Sequence, residues 1–309
     1  MDKIIGIYHF LWDKVPNDVP VVEPKPRKIN QFMKSGRVLV SKIHVDTDIK
    51  TAVSNAINLL GNLKQIISRG DKILIKPNFN SPDPFPASTD LNFLRCVLEF
   101  LQDSGGKITI GESSGGVWRP TRKVFKKLGV DELARKMGIE LISFEDHPKD
   151  WVKVKINGSH LKTVTMPRIA YEADRIVYLP CMKTHNLGIF SGALKLTVGF
   201  MHPGERRSLH ARNLMQKIAE INLAWQPDMI IMDGRKAFIT GGPDRGQIAE
   251  PGIILASGDL VAVDIEAMKT ILKYQGKNRI PVDPWQLPQI VSALKYGLGP
   301  VNKNYVLVE

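Results

Sequence analysis

Residues 182–210 concentrate the side chains best suited to proton transfer. The stretch reads MKTHNLGIFSGALKLTVGFMHPGERRSLH and holds three of the seven histidines of the chain. An imidazole exchanges protons near neutral pH and can also bind a metal ion. A lysine shielded by apolar neighbours has a lowered pKa and can act as a nucleophile or a covalent anchor. We therefore predict catalytic roles for His185, Lys183 and Lys195. His185 and His210 are also candidate metal ligands.

Polar residues follow several apolar runs elsewhere in the chain. Lys76 and Asn78 follow KILI, GESSGG occupies 111–116, and Asp233 follows MIIM. Each position is compatible with an ordinary solvated turn, but cationic side chains and glycine amides also suit a carboxylate or a phosphate. Asp233 is assigned a catalytic role. The predicted substrate- or anion-binding residues are Lys76, Asn78, Glu112, Ser113, Ser114, Gly115, Gly116, Arg119, Gly241 and Gly242.

Five predicted strands end in such polar groups, namely KILI, ITIG, IVYLP, MIIM and IILAS. In open parallel sheets, ligands bind at the carboxyl ends of the strands. The five endings together therefore predict one shared crevice. The last ending contains Asp259, which has an alternative role as the N-cap of a helix beginning with LVAVDIEAM.

The elements that position these residues alternate between strand and helix. KILIKPNFN, KITIG and DRIVYLP are typical of strands, whereas LNFLRCVLEFLQ and RKVFKKLGVDELARKMG have the spacing of amphipathic helices. Cys96 is predicted to lie in a helix core. The alternation predicts an α/β fold with mostly parallel, helix-covered sheets. WVKVKINGSHLKTVTM is predicted to form a hairpin with NGS at its turn.

The length of 309 residues predicts two α/β lobes with a cleft between them. Residues 1–34, with four prolines in VPNDVPVVEPKPRKIN, are predicted to form an extended N-terminal segment. Residues 35–165 form the first predicted lobe, which carries the glycine-rich loop. Residues 166–309 form the second, which carries the His/Lys stretch, and the two lobes can exchange segments.

The formal net charge of +12 indicates either a solvated basic surface or a small anionic ligand. Nucleic acid is a weaker alternative because no helix-turn-helix, zinc-finger or RNP-like pattern is present. Apolar runs are too short to span a bilayer and the first residues do not form a signal peptide, so a cytoplasmic location without a membrane partner is predicted. The two cysteines cannot supply the four thiolates of a common iron–sulfur cluster, and no such cluster is predicted.

The motifs KPN, GESSGG, MKTH…SGALK, DG…GGP and ASGDLVAVD, in this order over about residues 37–270, resemble the family of domains of unknown function called DUF362. The resemblance implies an α/β fold but little biochemistry. Many members of that family also carry a ferredoxin-like module, which this chain lacks the cysteines to build.

A more distant similarity is to the nickel-dependent lactate racemases. His185, FSGALK, HPG and His210 match the order of that family's site motifs. The resemblance implies that Lys195 carries a nickel-pincer nucleotide covalently, that His210 ligates nickel and that His185 is an acid/base. The family's second acid/base histidine lies in G-x-H-R-P, where this chain has Trp118. An indole cannot exchange a proton in this way, so two-base racemisation of a hydroxy acid is not implied.

These observations favour an enzyme that acts on a small carboxylate or phosphate substrate by proton transfer, as isomerases and lyases do. The alternative is a non-catalytic metal- or anion-binding carrier or maturation protein. The candidate cofactors are a metal ion or the lysine-linked nucleotide at Lys195. The substrate and the oligomeric state are left open.

Overall fold

The computed structural model describes residues 4, 6–8, 12–46, 48–61 and 66–309. Its strands are β1 (Val21–Val22), β2 (Met33–Lys34), β3 (Arg37–His44), β4 (Lys72–Pro77), β5 (Lys107–Glu112), β6 (Glu140–Ser143), β7 (Trp151–Lys155), β8 (Thr163–Pro167), β9 (Arg175–Leu179), β10 (Cys181–His185), β11 (Ile189–Ser191), β12 (Met229–Phe238), β13 (Ile248–Ala249), β14 (Ile253–Ser257) and β15 (Tyr305–Val308). Its helices are α1 (Ile49–Asn58), α2 (Leu91–Gln102), α3 (Thr121–Leu128), α4 (Val130–Met137), α5 (Arg168–Glu172), α6 (Ala193–Leu196), α7 (Pro203–Ala211), α8 (Leu214–Ile221), α9 (Leu260–Ile271) and α10 (Pro288–Lys295).

A central sheet has the strand order β15-β3-β14-β12-β9-β4-β5-β6, and β2, β10, β11 and β13 pair off this path. The run from β12 to β6 is parallel, whereas β14 is antiparallel to both of its neighbours. The predicted α/β class with a mostly parallel sheet is confirmed. Strands from both sides of residue 165 share this sheet, and the predicted lobe boundary stays a prediction.

Helices and a hairpin cover the two faces of the sheet. In β4, Ile73 and Ile75 pack into the core that contains the apolar faces of α1 and α2, whereas Leu74 packs into the core behind the β7–β8 hairpin. Such burial on both faces explains why the parallel strands are continuously apolar. Cys96 lies buried on α2, as predicted.

The predicted hairpin is confirmed, because β7 and β8 are antiparallel neighbours. The single helix predicted for RKVFKKLGVDELARKMG is wrong. It is divided into α3 and α4 at Gly129, whose φ of 80° lies in the left-handed region that favours glycine. In the N-terminal segment, residues 4, 6–8 and 12 are helical, whereas 23–30 form neither helix nor strand.

Two of the five predicted strand endings are wrong. The run MIIM does not end at Asp233, because β12 continues to Phe238, and the direction of β14 corrects the second ending. Because β14 runs antiparallel to β12, its carboxyl end lies at the opposite edge of the sheet from the ends of β4, β5 and β12. The Asp259 carboxylate accepts hydrogen bonds from the amides of Val261 and Ala262 and caps α9. The predicted place of Asp259 in the shared crevice is therefore wrong, and its alternative role as an N-cap is confirmed. Across the described ranges, none of the helices is long and apolar enough to cross a membrane.

Candidate active site

A cavity of about 530 Å³ lies at the carboxyl ends of β4, β5 and β10. Small-molecule sites commonly measure about 300–1,000 Å³. Three of the five predicted strand endings meet here. The cavity is lined by Lys76, Asn78, Asn80, Glu112, Ser113, Gly115, Gly116, Val117, Trp118, Arg119, Lys183, His185, Asn186, Leu187, Ser191, Lys195, Leu196, Val198, Gly199, Pro203, Arg206, His210, Pro243 and Asp244.

Cationic side chains outnumber carboxylates around this cavity. An excess of positive charge in a poorly solvated space attracts an anion more strongly than it would in water. The cationic lining residues are Lys76, Lys183, Lys195, Arg119 and Arg206, and the carboxylates are Glu112 and Asp244.

Lys76 and Glu112 form a buried ion pair of 2.6 Å at the ends of β4 and β5. The Lys76 ammonium also donates to the carbonyl of Pro77, and the Glu112 carboxylate accepts from the amides of Phe79 and Ser113. Burial lowers the pKa of Lys76, and the neighbouring Glu112 partly opposes that shift. Both charges are thus engaged within the protein.

Two further lysines of the cavity differ in their surroundings. Lys183, on β10, is buried and donates to the carbonyl of Ala87. Lys195, on the short helix α6, is partly exposed within the cavity. Among the residues that the structure describes, none forms a hydrogen bond or an ion pair with the Lys195 ammonium. Burial, together with the nearby charge of Lys183, lowers the pKa of Lys195 to about 7.

His185 ends β10 and carries its proton on Nε2. Its Nδ1 accepts hydrogen bonds from the amides of Leu187, at 3.1 Å, and Gly188, at 2.9 Å, so this nitrogen presents a lone pair. Burial and the charges of Lys195 and Lys183 lower the pKa of His185 to about 2. The ring is therefore neutral near neutral pH and offers an Nε2–H donor.

His210 has the opposite arrangement. Its Nδ1 lies 2.6 Å from the carbonyl oxygen of Arg206, which can only accept, so the proton resides on Nδ1. Its Nε2 then presents a lone pair, which can take a proton or bind a metal ion. The side chain is exposed to solvent at the edge of the cavity, and desolvation is the main cause that lowers the pKa of His210.

Arg206 lines the cavity and connects two loops through hydrogen bonds. Its guanidinium donates to the carbonyls of Ser113 and Ser114 after β5, and to those of Met201 and Gly199 before α7. Burial lowers the pKa of Arg206 to about 10, so the side chain stays cationic near neutral pH. The sequence-based list of site residues omitted it, although ERR lies inside the His/Lys stretch.

The GESSGG loop offers fewer backbone donors than predicted. The amide of Ser113 donates to Glu112, that of Ser114 to the Thr121 hydroxyl, and that of Gly115 to the Asn80 carbonyl. The prediction that these three backbone amides bind an anion is therefore wrong. The Ser113 hydroxyl is buried, lines the cavity and has no hydrogen-bond partner within the described residues, so it remains available to a ligand.

Arg119 is also buried at the cavity and forms an ion pair with Asp13 of the N-terminal segment. Its Nε is buried without a hydrogen-bond partner in the described part of the chain. Asn78 lines the cavity, and its backbone N–H donates to the Thr89 hydroxyl. Trp118 lines the cavity where the racemase pattern has a histidine.

Four predicted site residues lie outside the lining. Asp233 forms a 2.7 Å ion pair with Arg235, and the Ser114 hydroxyl donates to Phe79. Gly241 and Gly242 precede the lining residues Pro243 and Asp244. An added Cβ at Gly242 would lie 1.9 Å from the Thr184 carbonyl oxygen, so this glycine is required for backbone packing against β10. Functional roles for these four residues stay predictions.

Asp264, on α9, positions Lys195 and was not assigned a role from the sequence. Its carboxylate is fully buried and accepts from the amides of Ala193, at 2.6 Å, and Leu194, at 3.1 Å, in the first turn of α6. An added Cβ at Gly192 would lie 2.2 Å from Asp264 Oδ1. The small residues of SGALK therefore admit this carboxylate, a contact that spacing along the chain does not reveal.

The candidate metal ligands His185 and His210 are not equally suited to bind a metal ion through Nε2. A neutral imidazole that binds a metal through Nε2 must carry its proton on Nδ1. His210 meets this condition, whereas His185 does not because its Nδ1 accepts two amide hydrogen bonds. Searched over the described positions alone, no group of three or more His, Cys, Asp and Glu side chains is arranged to hold a metal ion. If the nickel-pincer nucleotide implied by the resemblance were bound, Lys195 would be its anchor and His210 would be the ligand of a Lewis-acidic metal. Both roles stay predictions.

The fold and the site define an α/β protein with a cationic cavity at strand carboxyl ends. Residues 73–269 match the DUF362 family, a domain of unknown function, and the chain belongs to that family. A curated relative is the thylakoid-associated protein sll1697 of Synechocystis, which is 24% identical over 279 residues, or 87% of this chain and 81% of the relative.

Two solved structures are distantly similar. A Thermotoga maritima protein has a TM-score of 0.41 and 13% identity, over 73% of this chain and 56% of its own. The lactate racemase apoprotein of Thermoanaerobacterium thermosaccharolyticum has a TM-score of 0.36 and 13% identity, over 71% and 55%. The chain thus spans little more than half the length of either protein.

Proposed function

We propose that this protein is an enzyme that moves a proton on a small carboxylate- or phosphate-bearing substrate held in the cavity. The chemistry would be of the isomerase or lyase type. The observation that carries the proposal is the pair of histidines with opposite tautomers, His185 and His210, in one cationic cavity. Lys195 lies beside them and has no partner among the residues that the structure describes.

Charge supports binding of an anion. Lys183, Lys195 and Arg206 have no carboxylate within ion-pair distance in the described chain, whereas the Lys76 charge is offset by Glu112. Burial of uncompensated charge is unfavourable, so a ligand carboxylate or phosphate that enters this space relieves the cost. The Ser113 hydroxyl, which has no hydrogen-bond partner in the described ranges, would add a neutral donor to the same ligand.

The two histidines support proton transfer. His210 has a lowered pKa and a free Nε2 lone pair, so the ring is a neutral general base near neutral pH. His185 holds a neutral Nε2–H and would donate a hydrogen bond to a substrate oxygen on which negative charge develops. With a pKa of about 2, His185 does not fit the acid/base role that the racemase resemblance implies.

Hydrogen–deuterium exchange tests the proposal. The protein is incubated in D2O with a panel of 2-hydroxy acids, 2-oxo acids and phosphorylated hydroxy acids, and proton NMR follows loss of carbon-bound hydrogen. We expect exchange in at least one compound, reduced about 10²- to 10⁴-fold by His210→Gln because the base is removed. His147→Gln is the matched control, since His147 is exposed and outside the cavity lining.

Two outcomes would overturn the proposal. One is exchange that His210→Gln leaves unchanged. The other is tight binding of these acids, measured by calorimetry, without exchange in any of them, which would identify an anion carrier.

A further inference from the structure

Lys195 is the one lysine of the cavity lining whose ammonium is not engaged by other described residues. Lys76 is paired with Glu112, and Lys183 is bound by the Ala87 carbonyl. Both of these side chains are 1% exposed, whereas Lys195 is partly exposed within the cavity. A ligand that enters the cavity therefore meets Lys195 as its accessible primary amine.

The amine is held beside His185 by shared packing. An added Cβ at Gly188 would lie 3.3 Å from Lys195 Cε, so the lysine stem lies against this glycine. The amide of the same glycine donates to His185 Nδ1. The helix that carries Lys195 is in turn held at its first turn by Asp264.

We propose that Lys195 forms an imine with a substrate that carries both an aldehyde or ketone and an anionic group. This inference rests on the proposed function and names the substrate class as a small oxo acid or a phosphorylated carbonyl compound. The cationic cavity would bind the anion, while the reactive carbonyl carbon lies at Lys195 Nζ. A pKa of about 7 leaves a substantial fraction of the amine uncharged and nucleophilic at neutral pH.

The proposed step balances without a redox partner. The Lys195 nitrogen attacks the carbonyl carbon and forms a carbinolamine. One hydrogen of the amine stays on nitrogen, and the other moves to the oxygen, which becomes a hydroxyl. His210 Nε2 takes a proton from nitrogen and returns it to the hydroxyl, which leaves as water as the C=N bond forms. His185 Nε2–H donates a hydrogen bond to that oxygen throughout and keeps its own proton.

The imine would then serve the proton transfer proposed above. Uptake of a proton from solvent by the imine nitrogen would give a protonated imine, which withdraws electrons from the adjacent carbon. Loss of a proton from that carbon to neutral His210 Nε2 then gives an enamine. Return of that proton from His210 to the same or a neighbouring carbon restores a protonated imine. Attack of water on its C=N carbon then releases the isomerised carbonyl compound and returns Lys195 as the amine. Solvent exposure of His210 allows its proton to exchange with water.

Reductive trapping tests this inference. The full-length protein is treated with glyoxylate and sodium cyanoborohydride, digested, and mapped by mass spectrometry for lysines that carry one carboxymethyl group. We expect Lys195 to be labelled at least about 10-fold faster than Lys136, an exposed lysine outside the cavity, because its uncharged fraction is larger at neutral pH. Inorganic phosphate should slow labelling at Lys195, and acetaldehyde, which lacks the anion, should show less preference for it.

Labelling that does not distinguish Lys195 from Lys136 overturns the inference. An acyl or thioacyl adduct already present on Lys195 in protein purified from its native host does so too, because that nitrogen is no longer nucleophilic. Lys195→Arg keeps the charge but cannot form an imine. If deuterium exchange survives in this folded variant, the imine is wrong while the proposed proton transfer stands.

Discussion

The lysine side chains of the cavity show how surroundings, rather than residue type, set reactivity. Lys195 and Lys183 are both cationic positions of the same cavity wall, yet only Lys183 has a hydrogen-bond acceptor among the described residues. The lowered pKa of Lys195 follows from burial first and from the charge of Lys183 second. The sequence predicted a shielded lysine here, because SGAL precedes it and LTVGF follows it.

We expect competitive acetylation over a range of pH to report a pKa of about 7 for Lys195. Lys183→Met should raise that value, because it removes a neighbouring positive charge, but should leave it below the ordinary lysine value of about 10.4 since burial remains. Lys136→Met, at an exposed site, is the control and should cause no change. A wild-type pKa near 10.4 would contradict the account of this side chain.

The histidines set the limit of what residue types can predict. The sequence predicted a catalytic role for His185 and metal binding by both His185 and His210, but it could not assign the protonated nitrogen of either ring. That assignment depends on which backbone group each Nδ1 meets, namely two amides for His185 and one carbonyl for His210. Those contacts arise from the turn after β10 and from the winding of α7, which the spacing of the residues does not specify.

At the scale of elements, the position of Lys195 depends on a contact between α6 and α9. Helix α6 spans Ala193–Leu196, too short to be stable alone. The Asp264 carboxylate of α9 binds its first two amides. Burial raises the pKa of Asp264 to about 7, so protonation of this carboxyl favours the folded state.

The raised pKa of Asp264 makes the free energy of unfolding depend on pH. Because the folded protein holds the Asp264 proton up to about pH 7 and an unfolded carboxyl releases it near pH 4, the stability contributed by this group falls as pH rises between those values. Asp264→Asn removes that titration. Urea unfolding should therefore show a greater loss of stability for the variant at about pH 5 than at about pH 8.

A second measurement on the Asp264→Asn variant is the rate at which glyoxylate and cyanoborohydride label Lys195. Asp264→Asn replaces one of the two acceptor oxygens with an NH2 group that cannot accept from a backbone amide. The substitution should therefore loosen α6 and reduce the preference of glyoxylate for Lys195 over Lys136. Asp259→Asn is a matched control, since Asp259 is the N-cap of the same helix α9 and its carboxylate binds amides of α9 rather than of α6. An equal effect of both substitutions on Lys195 labelling would contradict the positioning role of Asp264.

Strand direction is the element-level feature that the sequence could not supply. Apolar runs such as KILI and IILAS predicted strands correctly, but IILAS gave no sign that β14 runs antiparallel. A buried strand is apolar on both faces in either direction, because its neighbours decide its hydrogen-bond pattern. For that reason the endings of β4, β5 and β10 meet at one cavity while the ending of β14 does not.

At the scale of the whole molecule, the alternation of strands and helices was sufficient to predict the α/β class. The membership in DUF362 agrees with the resemblance carried by KPN, GESSGG and SGALK. Contacts between residues far apart in the chain could not be predicted from the sequence. Arg206 donates to carbonyls 92 and 93 positions away, and Asp264 accepts from amides 70 and 71 positions away. Such contacts depend on chain crossings that no local pattern encodes.

His185 and His210 carry their protons on opposite ring nitrogens, and they therefore act as hydrogen-bond donor and base, respectively. Nitrogen NMR of histidine-labelled protein near neutral pH measures this directly, with His185→Gln and His210→Gln used to assign the signals. We expect a neutral His185 protonated on Nε2 and a neutral His210 protonated on Nδ1. A cationic His185, or the same tautomer at both rings, would contradict it.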